Sequence, residues 1–545
     1  MKLGLVVRIV IIVSIVLLCT GFGVYSFWRL NMAEERKDFN LYTLVPGDAV
    51  AVFETDYMAG LLDDINAMDS SQDGYYLNVS GLFGALRDNF KDLVEGLPHG
   101  LSREMNKLLI SFHEPESPLN QVLYCSLGTG DYSLVEDFLQ QRCSGGFPAK
   151  TAVYQGEDIR IFPLSDGRFL SAYFTRDFLA VSFQKRLIEQ VIDARKHRRS
   201  LMQQSSFSQM HRAHIGVSAL MYIRLRNVDM GKEVDSLHLS SRLGGWVEFD
   251  IKFKSDAIYC SGVASAPDSA HTFVGMLGQQ KPVDEFPGAR LPGSTFFYSS
   301  WAVSDLASAL GFTSQQQYSQ AEYSEYVQER DAEWLSFLQE HAAEGDMLFC
   351  LFRSKDTLSP LPSAVVSIPM QDAVQAEQSL RNLLRGTPRE TGAPAPPAFT
   401  PQYARYPASR GPRRYLVPRS TLLLQLTGIN ASSLYGYACF YAGHLLLAPD
   451  AVSLSAYIDA IERGRVLDGM PFYEELTGSL APSYNYTQMA DMEQVVGQAE
   501  TYVRLMPSLF FRQAVFFRHF IAAFQFTCTE GVVYPNVVLL YKGDD

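Results

Sequence analysis

The chain has 545 residues, more than the ~250–300 residues at which single hydrophobic cores stop growing, so at least two domains are expected. Its 47% apolar and 19% charged residues exclude an intrinsically disordered protein. The formal net charge of −13 provides no global attraction for a phosphate backbone, so nucleic acid is not an expected partner.

The N-terminus predicts a membrane segment. After a short tail of residues 1–8, residues 9–28 contain no charged side chain. As a helix rising ~1.5 Å per residue they would cross the ~30 Å hydrocarbon core of a bilayer. Trp28 and Arg29 come at the end of this run, where aromatic and basic residues are typical of the boundary between membrane and water. We therefore predict a single transmembrane signal anchor at residues 9–28.

A cleaved signal peptide is the alternative, because Lys2 and Arg8 resemble its basic first region. The apolar run has no A-x-A cleavage site, and Leu18 stands where a lipoprotein signal has a small residue before Cys19. An uncleaved anchor is therefore favoured. A long following domain tends to be translocated, which predicts a single-pass inner-membrane protein with its bulk in the periplasm.

Beyond the anchor, the chain resembles itself in five collinear blocks. FLAVSFQKRLIEQVIDARKH from Phe178 matches HLLLAPDAVSLSAYIDAIER from His444, and Pro46-Gly47 matches Pro292-Gly293. NKLLISFHE around Leu109 matches GDMLFCLFRS around Leu348. Preserved order over such blocks indicates internal duplication. We predict two diverged modules, at residues 38–285 and 286–545.

Each module is predicted to contain an antiparallel sheet. Val247, Phe249, Ile251 and Phe253 alternate with polar residues before a Ser255-Asp256 turn, which indicates a hairpin with one buried face. Helices such as residues 184–195 occur singly between strands. The predicted class is α+β, with an N-terminal transmembrane helix followed by two repeats of a mainly antiparallel sheet covered by helices on one face.

Two stretches are candidate partner surfaces. The segment 386–420 is rich in proline, which disfavours regular structure, and is predicted to be a mobile loop. Its basic side chains would suit an anionic partner: Arg405, Arg410, Arg413 and Arg414. The second stretch, SLFFRQAVFFRHFIAAF, is apolar almost all round a helix, so it is either buried or faces a partner or lipid. Its candidate residues are Phe510, Phe511, Arg512, Phe516 and Phe517.

No motif assigns an enzymatic activity. The sequence has no nucleophile elbow, P-loop, dinucleotide-binding glycine pattern or H-E-x-x-H. Its seven cysteines are scattered without a C-x-x-C pair, and their apolar surroundings favour buried free thiols. No catalytic residue, cofactor or metal is therefore predicted.

The anchor, the LVPGDAVAVFETD start of the first module and the duplicated α+β modules resemble a bacterial envelope protein family of unknown function. The resemblance implies an envelope location and supplies no catalytic residues. The favoured hypothesis is a non-enzymatic, membrane-anchored protein-interaction or assembly module with an envelope protein as its partner. A lipid or hydrophobic-ligand carrier and a membrane-anchored hydrolase are the alternatives.

Overall fold

The computed structural model describes residues 39–77, 80–82, 84, 107–115, 117–128, 131–140, 147–164, 167–211, 219–228, 244–264, 272–304, 325–354, 362–386, 412–418, 435–498, 502 and 505–543. These residues belong to two compact units, Met1–Leu62 with Asn78–Ala219 and Asp63–Leu77 with Leu220–Asp545. The predicted anchor at residues 9–28 lies outside the described residues. Within them, no helix has both the length and the apolar character needed to cross a bilayer.

The first unit contains a seven-stranded antiparallel sheet within its described residues. Its strands are β1 (Ala51–Thr55), β2 (Leu108–Phe112), β3 (Gln121–Ser126), β4 (Lys150–Tyr154), β5 (Glu157–Pro163), β6 (Phe169–Phe174) and β7 (Phe178–Ser182). Their spatial order is β1-β2-β3-β7-β6-β5-β4. β4 and β5 form a hairpin, and β4 lies at one end of this order.

The described part of the second unit contains a twelve-stranded antiparallel sheet. Its strands are β8 (Leu220–Arg224), β9 (Trp246–Phe253), β10 (Ala257–Ala264), β11 (Thr295–Val303), β12 (Gly345–Phe352), β13 (Ser363–Pro369), β14 (Arg414–Pro418), β15 (Tyr435–Tyr441), β16 (His444–Ala448), β17 (Tyr486–Asp491), β18 (Phe520–Thr529) and β19 (Val532–Tyr541). Their order is β8-β9-β10-β19-β18-β17-β11-β12-β13-β16-β15-β14. The predicted hairpin forms as β9 and β10.

The helices are mostly short. They are α1 (Met58–Ala67), α2 (Asp69–Gln72), α3 (Asp131–Phe138), α4 (Lys185–His197), α5 (Ser205–Met210), α6 (Phe273–Leu277), α7 (Glu325–His341), α8 (Ala373–Gly386), α9 (Ala451–Glu462), α10 (Pro471–Gly478), α11 (Met492–Val496), α12 (Ser508–Arg512) and α13 (Ala514–Phe517). Of these, α4 matches the predicted helix 184–195 but begins one residue later, with Gln184 as its N-cap, and extends to His197.

The predicted fold class is wrong. Nineteen antiparallel strands dominate the described chain, in which no helix is long and apolar enough to cross a bilayer and the sheets are not covered by helices on one face only. Strand β12 shows why, because its alternate side chains enter two different cores. Met347, Phe349 and Leu351 join one core, whereas Leu348, Cys350 and Phe352 join the other. A continuous apolar run such as MLFCLF is typical of a strand buried on both faces, and the one-face prediction overlooked it.

Both cores of the second unit combine strands with helices. One core includes Trp334 and Phe337 of α7 and Leu380 of α8, and the other includes Leu454 of α9 and Leu476 of α10. Burial of apolar side chains therefore stabilises both faces of the sheet, and each Å² of apolar area removed from water contributes roughly 25 cal/mol.

The two units share an order of strands. The run β1-β2-β3-β7-β6-β5 of the first unit has the same connectivity as β11-β12-β13-β16-β15-β14 of the second. Within the described residues, the first run continues by one further strand, β4. The hairpins β9–β10 and β18–β19 are likewise a matching pair inside the second unit.

Strand register follows the sequence alignment of the two modules. With Pro46 aligned to Pro292 and Leu109 to Leu348, the pair Ala51–Phe112 should map onto Phe297–Leu351, and both pairs are present: Ala51↔Phe112 and Phe297↔Leu351. The bridge Pro46↔Ser200 likewise maps onto Pro292↔Val466. A one-residue slip would break these matches. The agreement supports the proposal that the modules arose by duplication.

Candidate functional site

The phenylalanine-rich stretch packs into the interior of the second unit. It forms the two short helices α12 and α13 and then enters β18, so it is not one continuous helix. Phe510, Phe516 and Phe517 are buried, and the ring centroids of Phe510 and Phe517 are 4.5 Å apart. Phe511 is partly buried against the same core, and Arg512 is exposed. These contacts account for the apolar composition without a lipid or a partner.

The basic segment is described only in part. Arg405 and Arg410 lie outside the described residues. Arg413 and Arg414 are exposed, and Arg414 begins the strand β14, which the prediction of an irregular loop over 386–420 did not include. Pro412 lies just before this short strand and Pro418 is its last residue, and prolines at such positions led to the prediction of an irregular loop.

The first unit contains a chain of buried polar side chains that resembles a hydrolytic triad. Nε2 of His113 lies 2.8 Å from Oγ of Ser111, and Nδ1 of His113 lies 3.3 Å from Oδ1 of Asp48. Oγ of Ser111 also lies 3.1 Å from the hydroxyl of Tyr124. Gln190 of α4 donates to Asp48 at 3.2 Å. We call Asp48, His113, Ser111 and Tyr124 the His113 chain.

Close polar contacts link the members of the His113 chain. Oγ of Ser111 lies within hydrogen-bonding distance of both the hydroxyl of Tyr124 and Nε2 of His113, whereas Nδ1 of His113 faces Asp48 without the geometry of a hydrogen bond. The contact with His113 holds the pKa of Asp48 below its usual value, against the opposing effect of partial burial. Burial raises the pKa of Tyr124 far above its ordinary value.

The His113 chain differs from a working triad in which of its side chains are exposed to solvent. Ser111 is fully buried, whereas the Asp48 side chain is 54% exposed. A triad needs the opposite arrangement, with the serine facing the substrate and the carboxylate buried behind the histidine. Because no substrate atom can reach Oγ of Ser111 in this structure, the chain is assigned a structural role in joining β2, β3 and the segment around Asp48.

The second unit has its own buried polar group, which we call the Arg290 cluster. Arg290 donates to both oxygens of Asp346, at 2.7 and 2.6 Å. Asp346 also accepts from Ser300 at 2.6 Å and from the hydroxyl of Tyr484 at 3.2 Å. The Asp346 side chain is only 8% exposed, so its charge depends on these partners. These partners compensate the buried carboxylate, so the cluster is assigned a role in packing.

The module alignment relates this cluster to an ion pair of the first unit. Ser300 aligns with Glu54, and Asp346 aligns with Lys107. Lys107 and Glu54 lie 3.1 Å apart. Both units therefore balance charge at matching positions, although the carboxylate stands on a different strand in each. This difference favours a structural role over a catalytic or binding role common to both units.

The described cysteines are buried or partly buried free thiols, as the sequence predicts. Burial raises the pKa of Cys125, Cys260 and Cys439 to about 12 in each case, and it also raises the pKa of Cys350. A nucleophilic cysteine needs a lowered pKa and access to solvent. These four thiols are therefore poor nucleophiles.

One exposed feature with a defined geometry is the outer strand of the first unit. We call Lys150–Tyr154 the β4 edge, because among the described residues β4 pairs only with β5. Val153 is 71% exposed, and Phe147 just before the strand is 67% exposed. Unpaired edges bearing apolar side chains are sites at which another strand can add.

The turn after β4 determines which backbone groups face outward. Gln155 and Gly156 both have positive φ values, 50° and 78°, as in a type I′ turn. In a two-residue hairpin the residues next to the turn, Tyr154 and Glu157, exchange hydrogen bonds, so alternate residues of β4 bond to β5. The N–H and C=O groups of Thr151 and Val153 therefore point away from the sheet.

Sequence reasoning missed both the His113 chain and the β4 edge. Ser111 and His113 are two residues apart on a strand, so their shared face could be expected. Their partner Asp48 is distant in sequence, and no local pattern predicts that contact. For the β4 edge, the signal was the strand-forming residues Thr151, Val153 and Tyr154 followed by Gln155-Gly156, but nothing local shows that the strand is outermost.

Comparisons with known proteins give no relative for this chain. No family model, no curated protein and no solved structure matches it. The resemblance to an envelope protein family therefore stays a prediction.

Proposed function

We propose that the protein is a non-enzymatic interaction or assembly module of the cell envelope, tied to the membrane by its N-terminal segment. The observation that carries this proposal is the β4 edge, a sheet edge with outward-facing backbone groups and the exposed side chain of Val153. Addition of an extended segment to such an edge is a common mode of protein recognition, because main-chain hydrogen bonds give affinity and side chains on alternate positions give specificity.

The surroundings of the edge support recognition. Tyr154 donates from its hydroxyl to Asp193 at 3.1 Å, and Gln155 donates to the other oxygen of Asp193 at 2.6 Å. Lys196 of the same helix donates to the carbonyl of Gln155 at 2.5 Å. The hairpin is therefore held against α4, and a preorganised edge loses less conformational entropy on binding than a loose one.

Site-specific photo-cross-linking in intact cells tests the proposal. A photoreactive amino acid at Val153 is expected to give a discrete protein adduct that mass spectrometry identifies. The same amino acid at Val374 of α8, which is 68% exposed, is the matched control and should give little. Equal labelling at both positions, or no protein adduct at Val153, would contradict the proposal.

A further inference from the structure

We infer that the partner at the β4 edge is a second copy of this chain, joined by antiparallel pairing of β4 with its own counterpart. This inference rests on the proposed function and names its partner. A two-fold axis at Ala152 places Thr151 of one copy opposite Val153 of the other. These are the two residues whose backbone groups point outward, so the pairing forms four main-chain hydrogen bonds.

The side chains of β4 are complementary to themselves in this register. Lys150 lies opposite Tyr154 of the other copy, so no like charges face each other. In each copy the hydroxyl of Tyr154 donates to Asp193, which places a carboxylate close to the incoming Lys150. Ala152 meets Ala152 at the axis, where a non-hydrogen-bonded pair brings the strands closest and a small side chain fits.

The apolar contacts favour the same arrangement. Val153 is 71% exposed, and in the pair it lies beside Thr151 of the other copy. Valine and threonine are both β-branched residues, which pack well on a pleated surface. Pairing therefore removes from water an apolar side chain that the isolated unit leaves exposed.

The chain already contains a junction of this type. The hairpins β9–β10 and β18–β19 match in register, with Phe253↔Ile258 corresponding to Cys528↔Val533. Their second strands, β10 and β19, pair antiparallel with each other. These two matching strands therefore pair in the way that two copies of one strand would pair about a two-fold axis. β4 offers the same kind of edge.

Cysteine cross-linking of the full-length protein in its membranes tests this inference. The variant Ala152→Cys places two thiols at the axis and is expected to give a disulfide-linked dimer on mild oxidation. Lys150→Cys is the matched control on the same face of β4, because in this register residue 150 of one copy is far from residue 150 of the other. Wild type, with its natural cysteines, sets the background.

A second change links the cross-link to backbone pairing. Adding Val153→Pro to Ala152→Cys removes an outward N–H without removing a hydrogen bond to β5, so β4 stays folded and the dimer band is expected to fall at least several-fold. Adding Val153→Thr instead keeps the N–H and should keep the cross-link. A cross-link from Ala152→Cys no stronger than from Lys150→Cys, or one that survives Val153→Pro, would overturn the inference.

The outcomes separate this inference from the proposed function. A photo-adduct at Val153 with a different protein, without a dimer from Ala152→Cys, would overturn the second copy as partner and leave the interaction module standing. If neither a photo-adduct at Val153 nor a dimer from Ala152→Cys is found, both the inference and the proposed function are overturned.

Discussion

At the scale of single residues, the titratable and nucleophilic side chains singled out in the two units are mostly enclosed by partners. Ser111 is buried within the His113 chain, Asp346 is buried within the Arg290 cluster, and burial raises the pKa of thiols such as Cys125. Each arrangement satisfies a buried polar group that would otherwise cost stability. The residues that combine exposure with unpaired backbone, such as Val153, are instead suited to binding.

Replacing Arg290 tests the Arg290 cluster. Arg290→Met leaves the buried carboxylate of Asp346 without its cation, and breaking such a pair costs about 3 kcal/mol of unfolding free energy. Adding Asp346→Asn removes the uncompensated charge and should recover part of that loss. Urea unfolding followed by tryptophan fluorescence measures both, since Trp246, Trp301 and Trp334 belong to the second unit. A single variant as stable as wild type would show that the pair is dispensable.

The His113 chain predicts an acid dependence of stability. Because folding lowers the pKa of Asp48, its ionised form stabilises the folded state at pH values above about 4, and this contribution is lost as the pH falls through the lowered pKa. Asp48→Asn should therefore shift the unfolding midpoint less between pH 5 and pH 3 than wild type does. Circular dichroism measures the midpoints, and identical acid shifts in the two proteins would refute the assignment.

At the scale of elements, α4 and α9 illustrate what a helix contributes to each unit. In α4 the buried positions are Leu187, Ile188, Val191, Ile192 and Ala194, which recur at helical spacing. The C-terminus of α4 ends in a left-handed residue, Arg198, with a positive φ of 51°. Basic residues in the last turn also suit the negative end of the helix dipole. Arg195, Lys196 and His197 therefore stabilise the C-terminus of α4.

Truncation at two aligned isoleucines tests the equivalence of these helices. Ile192 of α4 and Ile458 of α9 are both buried, so each change to alanine should cost about 2–5 kcal/mol. Ile458→Ala should shift the tryptophan-detected transition of the second unit, whereas Ile192→Ala should shift only the circular dichroism signal. Arg463→Ala is the exposed control, because surface ion pairs contribute about 0–1 kcal/mol. A neutral result at one isoleucine would argue against equivalent packing.

At the scale of the whole molecule, the two units repeat one order of strands, which among the described residues runs one strand further in the first unit. That strand, β4, pairs only with β5 within those residues and forms the exposed edge. The proposed interaction surface therefore lies at the end of the strand order of the first unit.

The membrane anchor is a prediction for the full-length chain. Protein carrying residues 9–28 should remain in the membrane pellet after alkaline carbonate extraction, because about twenty uncharged residues suffice to span the bilayer. Protein lacking residues 1–37 should appear in the supernatant. Release of the full-length chain by carbonate would contradict an integral anchor and favour a cleaved signal peptide.

The sequence by itself determined the features that local patterns encode. Period-two alternation located the β9–β10 hairpin, helical spacing located α4, and collinear blocks located the stretches of the two modules whose strands pair in matching register. Only the tertiary structure decided which strand faces are covered, which strand is outermost and which distant side chains meet. Burial of both faces of β12, the exposure of Val153 and the contact of His113 with Asp48 all depend on residues far apart in the chain. Local patterns carry no information about such neighbours, because the packing of the whole unit determines them.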